Sequence, residues 1–228
     1  MTAPTSILLF AAGLGTRMAP LTDTQPKPMV SVSGRPLLDH ALQFADGLRK
    51  VVNVHYRADQ IETYLNGSGI AISDERDGLR DTGGGLKKAR PLLGPSPVFT
   101  MNTDAVWKGP NPLERLAAAW NPDNMDALML VIPKDNAVGH TGEGTTGFDL
   151  DANGILHTGT QTVYSGAQII KTDGLSDIGD QVFSMWKLWQ PMLDAGRMAG
   201  VLYDGQWCDV GRPDCIPLAE DMLNATDV

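Results

Sequence analysis

The sequence predicts an α/β fold in which helices cover both faces of a mixed, mainly parallel central sheet, with a small β-hairpin inserted beside it. Three observations carry the prediction. Strand-length apolar runs alternate with helically spaced stretches from Ser6 to Ile132, the rhythm that builds a sheet with helical crossovers. That rhythm breaks between Pro133 and Thr162. No Ser/Gly-rich or low-complexity stretch divides the 228 residues, so one domain with a sizeable core is expected.

The elements follow in chain order. SILLFA (6–11) suits a buried strand, and a loop punctuated by Gly and Pro extends from it to Pro36. Leu37, Leu38, Ala41, Leu42 and Ala45 have the spacing of one helix face, with Pro36 at its first turn. VVNV (51–54), GIAIS (69–73), VFTM (98–101) and ALMLVI (127–132) read as strands, separated by helices near 58–66, 85–93 and 112–120. FDLDANGILH (148–157) places a turn cluster, Asp151 to Gly154, between two short strand candidates. TVYSGAQII (162–170) returns to strand character, 180–195 is helical, and VLYDGQWCDV (201–210) resembles a hairpin turning at Asp204–Gly205.

Composition narrows the functional classes. A hydrophobic share of 42% with 20% charged residues belongs to a soluble globular chain. No apolar run approaches the ~20 residues that span a bilayer. MTAPTS lacks the basic region of a signal peptide, so a cytoplasmic location is expected. Cys208 and Cys215 are too few for a disulfide framework and read as reduced thiols. A net charge of -9 argues against nucleic-acid binding. A small anionic substrate must therefore rely on local cations.

Glycines after the first strand of such a sheet let the backbone approach a phosphate, and Gly13 and Gly15 occupy that place. A dinucleotide-binding fingerprint needs a third glycine, an immediate helix and an acid at the end of the second strand. Here Met18 and Ala19 follow, Pro20, Pro26 and Pro28 oppose a helix, and the second strand ends in Asn53, Val54 and His55. No Gly-Lys stands at the offset a P-loop requires. For Arg17 or Lys27 alone, a solvated surface cation on a plain connecting loop is the competing reading.

Asn102-Thr103-Asp104 follows the strand at 98–101, which places a carboxylate at the sheet edge that carries the glycine loop. Trp207-Cys208-Asp209-Val210-Gly211 sets a second acid between apolar neighbours. Mg2+ takes one or two carboxylates together with phosphate oxygens and waters, so Asp104 and Asp209 are candidate metal ligands. A turn cap for Asp104 and a pair with Arg212 for Asp209 are the alternatives. The four histidines show no ligand spacing. Asp81-Thr82-Gly83-Gly84-Gly85, ahead of a helical stretch, offers backbone N–H groups and little bulk to a flat base. A helix-entry turn accounts for the same glycines.

Taken together, AAG-x-GTR, PLT and PKPMV resemble the signature of sugar-1-phosphate nucleotidyltransferases over twenty consecutive positions, 11–30. The resemblance implies a Rossmann-like three-layer fold over 1–228, with a nucleotide-binding part about 1–132 and a sugar-binding part about 133–228. It implies that Ala11, Ala12, Gly13, Gly15 and Thr16 wrap a nucleoside triphosphate, that Arg17 holds its phosphates and that Lys27 reaches the reacting groups. Asp104 and Asp209 match the contexts of the family's magnesium ligands. Asp81, Thr82 and Gly83 resemble the base-holding loop of short uridylyltransferases acting on N-acetylmuramate-1-phosphate. Tyr164, Gly166 and Gln168 fall on the strand that faces the sugar.

The implied reaction moves a nucleoside monophosphate from a triphosphate, UTP favoured, to a sugar-1-phosphate, giving an NDP-sugar and pyrophosphate. The expected state is a monomer or small homo-oligomer. GTP with mannose-1-phosphate, CTP with phosphocholine, and a catalytically silent nucleotide-binding protein are the alternatives. One departure stands out: the Glu-Lys pair that many members carry before the sugar-facing strand is absent between Pro133 and Tyr164.

Overall fold

The computed structural model describes residues 3–141 and 147–225, so Met1 and Thr2 of the N-terminal stretch lie outside the described residues. β1 (Ser6–Phe10), β2 (Arg49–Val54), β3 (Ala71–Asp74) and β4 (Val98–Asn102) pair in parallel in the order β4-β1-β2-β3. β5 (Ala105–Lys108) leaves this sheet, and β6 (Ala127–Pro133) returns to it. β7 (Gly147–Leu150) and β8 (Leu156–Gly159) form the expected hairpin. β9 (Thr162–Ile170) runs antiparallel against both β4 and β6, and β10 (Met198–Leu202) pairs in parallel with β6. The sheet is therefore mixed, with β9 reversed at its middle.

Helices cover both faces. They are α1 (Leu37–Leu42), α2 (Ala58–Leu65), α3 (Asp81–Leu93), α4 (Pro112–Ala119), α5 (Trp186–Asp194) and α6 (Cys215–Asn224). Alternation along β1 divides the core. Ile7 and Leu9 pack with Leu38, Ile61 and Leu116 of α1, α2 and α4, whereas Leu8 packs with Leu86 of α3 and Leu188 of α5. A strand buried on both faces needs a continuous apolar run, which is why SILLF shows no polar period. A third cluster joins Met18 and Val30 to Val106, Cys208 and Met222. Burying a side chain such as Met18 contributes about 1.5–3 kcal/mol, so the glycine loop is pinned from beneath. Cys208 and Cys215 are both buried and free.

Three local expectations change. The hairpin over 201–210 does not form: β10 stays with β6, while β11 (Gln206–Asp209) crosses to a smaller sheet and pairs antiparallel with β5 and in parallel with Ala137–Val138. The Asp204–Gly205 turn thus links two sheets, and Trp207 sits opposite Trp107. Helix α3 starts at Asp81, earlier than 85, with Gly83, Gly84 and Gly85 inside it. Helix α5 starts only at Trp186, because residues 178–185 form an extended strap across the first turn of α3.

The strap explains the glycines. Gly84 N–H donates to Phe183 O at 3.0 Å and Phe183 N–H to Arg80 O at 3.2 Å, so the strap is hydrogen-bonded to the first turn of α3. A Cβ on Gly84 would lie 2.3 Å from Gln181 O, and one on Gly83 would lie 2.5 Å from the Phe183 ring. Glycine inside a helix costs about 1 kcal/mol relative to alanine, and here close packing of the strap requires it. Among the described residues no helix is long and apolar enough to cross a membrane.

Candidate active site

The glycine loop leaves the end of β1 under tight control. Ala11 N–H donates to Asn53 Oδ1 at 2.7 Å, and Thr103 Oγ1–H donates to Phe10 O at 2.7 Å. Gly13 has open space where a Cβ would stand. Gly15 has φ +65°, and a Cβ there would come within 3.0 Å of Lys27 Cβ and Thr22 Cγ2. The loop doubles back at this point, so its far arm touches its near arm. Thr22 Oγ1–H bonds Gly15 O at 2.9 Å, and Tyr56 Oη–H bonds Thr22 O at 2.9 Å from the start of α2. Gln60 adds a bond to Thr24 O at 2.9 Å.

The fold-back delivers Lys27 to Asp104. Its Nζ donates to Asp104 Oδ2 at 2.9 Å, with side-chain exposures of 12% for Lys27 and 34% for Asp104. Asp209 reaches the same place from β11, because Val210 N–H bonds Asp104 O at 2.8 Å and Asp209 is registered with Ala105. Burial works to raise the Asp104 carboxyl, but the Lys27 ammonium, helped by Arg17, outweighs it and holds Asp104 below the usual carboxylate range. Among the described residues no lysine or arginine contacts Asp209 in this way. Burial and the neighbouring Asp104 charge push it up to about 6. Arg212 pairs with Asp214 at 3.1 Å rather than with Asp209.

Two cavities meet here. The first, of about 460 Å³, is lined by Phe10 to Gly13, Lys27, Asn53, Glu75, Leu79, Asp81, Thr82, Asn102 to Asp104 and Val182. The second, of about 300 Å³, is bordered by Arg17, His140, Tyr164, Gly166, three tryptophans and Asp209. Asn102 and Asp104 border both. The sequence candidates divide accordingly: Ala11, Ala12, Gly13, Lys27, Asp81 and Thr82 line the first cavity, and Arg17, Asp209, Tyr164 and Gly166 line the second. Gly15 and Thr16 shape the loop without lining either. Gly83 is turned away against Phe183. Gln168 is taken up inside the core, donating to Thr100 Oγ1 at 3.1 Å and accepting from Trp189 Nε1 at 3.0 Å. Gly166 has φ +90°, and a Cβ on it would strike Asn102 at 2.8 Å.

Other residues enter that the sequence left unmarked. Glu75 lies fully buried beyond β3 and borders the first cavity. It accepts from Asn53 Nδ2 at 2.8 Å and from Arg80 N–H at 3.1 Å, and burial raises its carboxyl above the usual range. Its signal was available: like Asp104, it is an acid at the carboxyl end of a parallel strand. His140 places Nδ1 3.8 Å from Asp209 Oδ2, and burial lowers its ring. Phe148, Trp186 and Trp189 complete the second cavity.

Over residues 7–222 the chain matches the model of the MobA-like NTP transferase domain. The chain belongs to that family. It is accordingly a sugar-phosphate nucleotidyltransferase, an enzyme with an α/β fold. The N-acetylmuramate alpha-1-phosphate uridylyltransferase of Caulobacter vibrioides is 38% identical, covering 97% of this chain and 98% of that protein. The enzyme of the same name from Neisseria meningitidis serogroup B is 29% identical over 90% of this chain and 92% of its own length. Among solved structures, HddC from Yersinia pseudotuberculosis complexed with GMP-PN superposes with a TM-score of 0.75 at 20% identity, covering 95% of this chain and 98% of that one. That likeness shows the nucleotidyltransferase fold.

A divalent metal is what such an enzyme implies. The residues fit it: two acids close enough for one charge to raise the other, one oxygen of Asp104 held by Lys27, and a carboxylate at Asp209 that no described lysine or arginine contacts. Among the described residues no cluster of three ligating side chains occurs.

Proposed function

We propose that this nucleotidyltransferase moves uridine monophosphate from UTP to N-acetylmuramate-1-phosphate, releasing pyrophosphate. The observation that carries the reading is Asp104, which borders both cavities and holds Lys27 at their junction. The triphosphate occupies the first cavity and the sugar phosphate the second, so their reacting groups meet beside Asp104. Near-complete coverage of two relatives bearing this substrate in their names supports the choice of acceptor and base. The reading also locates the protein in the cytoplasm.

The chemistry asks the chain for position and charge. A phosphate monoester has its second pKa near about 6, so at neutral pH the acceptor oxygen attacks the α-phosphorus without a protein base. A phosphorus–oxygen bond forms to the sugar phosphate, the bond to the bridging β-oxygen breaks, and pyrophosphate leaves in line. The open space at Gly13 lets the backbone approach the phosphates. Lys27, oriented by Asp104, meets the charge that develops at phosphorus. Arg17, exposed at the edge of the second cavity, offers a planar fork to phosphate oxygens. Asp104 and Asp209 would hold Mg2+, which when bound supplies further neutralisation of the phosphates.

A matrix of UTP, GTP, CTP, ATP and dTTP against N-acetylmuramate-1-phosphate, N-acetylglucosamine-1-phosphate, glucose-1-phosphate, mannose-1-phosphate and phosphocholine, read by pyrophosphate release, tests the proposal. UTP with N-acetylmuramate-1-phosphate is expected to give the highest kcat/KM, abolished by a chelator and restored by Mg2+. A higher value for GTP with mannose-1-phosphate, or for CTP with phosphocholine, overturns it.

A further inference from the structure

We infer that Trp186 selects the acceptor by receiving an acylamino substituent of the sugar ring, which makes it a specificity residue of the second cavity. Three tryptophans border that cavity, and their indole N–H groups are not equivalent. Trp189 Nε1 donates to Gln168 Oε1 at 3.0 Å, and Trp207 Nε1 donates to Ser165 O at 3.1 Å. Trp186 Nε1 donates to no described residue. An indole beside a cavity with an uncommitted donor suits a ligand group that is apolar on one side and carries an acceptor on the other.

The surroundings fix what Trp186 presents. Its ring stacks on Phe148 at 6.0 Å with 24° between planes, and Trp189 meets it edge-on at 5.5 Å and 78°. Phe148 and Trp189 are buried, while Trp186 is half-buried. The cluster therefore holds Trp186 from behind and leaves it as the aromatic surface on offer. The charged and titratable side chains of that lining are Arg17, Asp104, His140 and Asp209, joined by the polar Asn102, Tyr164 and Ser165. A sugar-1-phosphate that directs its phosphate toward Asp104 and Arg17 turns its ring toward the aromatic corner. An acetamido group there sets its methyl against the indole face and its carbonyl oxygen to accept from Nε1–H. A bare hydroxyl at the same ring carbon fills neither role.

The inference rests on the proposed transfer to a sugar-1-phosphate, and the experiment separates the two. With UTP and Mg2+, kcat/KM is measured for N-acetylglucosamine-1-phosphate and glucose-1-phosphate, which differ at one ring substituent, in the wild type, Trp186→Phe and Trp186→Ala. Thermal unfolding serves as the folding control, and Kd values for UDP-N-acetylglucosamine and UDP-glucose provide a second readout independent of turnover. The acyl-to-plain ratio is expected to fall about tenfold or more in Trp186→Ala, since apolar contacts with a small group discriminate by about 10- to 200-fold. In Trp186→Phe, which keeps a ring and loses the donor, it is expected to fall about three- to tenfold, the range of one hydrogen bond. The glucose-1-phosphate value is expected to fall by a smaller factor than the N-acetylglucosamine-1-phosphate value, so the ratio carries the result. An unchanged ratio in a folded Trp186→Ala, or an equal fall for both acceptors and both products, overturns the inference. If the wild type forms no UDP-sugar from either acylamino acceptor, the proposed function fails first, while the two Kd values still decide the role of Trp186.

Discussion

The two cavities are built by different means. The first is walled by backbone and short side chains: the Phe10 to Gly13 turn, Asn53, Glu75, Asp81 and Thr82, each at the carboxyl end of a parallel strand or the start of the following helix. The second is walled by rings brought from remote elements, with Tyr164 on β9, Trp186 and Trp189 on α5, and Trp207 on β11. A polyphosphate is common to every nucleoside triphosphate, and backbone N–H groups with a few cations meet it. A sugar is distinguished by what hangs from its ring, and only side chains read that. Chemistry common to a family thus settles in the loop, and substrate choice settles in the packing.

Removing Lys27 should cut across this division. Lys27→Ala is expected to lower kcat about 100-fold for every acceptor alike, the scale of losing one preorganised charge at the reacting centre. Pyrophosphate release with two acceptors measures it, and a loss confined to one acceptor would move Lys27 out of the shared junction.

Gly84→Ala tests the strap that runs between the cavities. A methyl 2.3 Å from Gln181 O is expected to cost about 1–3 kcal/mol, as overpacking does, seen as a lower urea midpoint with unchanged slope. Wild-type stability would mean that the strap is free to move away from α3.

Glu75→Gln sharpens the first cavity alone. Both Glu75 oxygens accept hydrogen bonds, one from Asn53, whose own oxygen fixes Ala11. An amide cannot accept at both ends, so KM for UTP is expected to rise about tenfold, roughly the worth of one buried hydrogen bond, with KM for the acceptor unchanged. The same variant carries a pH signature. Because burial raises the folded pKa of Glu75, protonation favours the folded state. That contribution is fully present below the unfolded value near about 4.3 and is lost as pH rises through the folded value. Stability of the wild type relative to Glu75→Gln is therefore expected to decline from pH 4 upward in urea unfolding, and a rising difference would contradict the sign.

The smallest effect on activity belongs to Gln168→Leu. It strands Trp189 Nε1 inside the core and should cost about 1–3 kcal/mol of stability while acceptor KM moves less than twofold. A large KM change would return Gln168 to the sugar.

Much of the first cavity was legible because its constraints are local. Gly15 must adopt a positive φ beside Lys27, Pro26 and Pro28 flank that lysine, and Asp104 follows an unmistakable strand. The alternation that predicted the sheet is equally local, since β1 to β4 each read within six residues. What failed to read was non-local. Nothing around Asp204–Gly205 announces that its flanking strands join different sheets. Gly83 and Gly84 look like a ligand loop until Phe183 and Gln181, a hundred residues away, arrive against them. Trp186 has the spacing of any apolar helix residue, and what distinguishes it is an indole N–H at a cavity with no acceptor among the described residues.

The strap has a consequence for how substrate preferences change together. Val182 borders the first cavity and Trp186 the second, with Met185 N–H tied to Thr82 Oγ1 at 3.0 Å between them. In the proposed reading a span of five residues therefore joins a border of the nucleotide cavity to a border of the acceptor cavity. Exchanging this span for that of a relative imports a nucleotide contact along with an acceptor contact. The two preferences are inherited as a linked pair, and recombination that seeks to vary one must cut the chain between Val182 and Trp186.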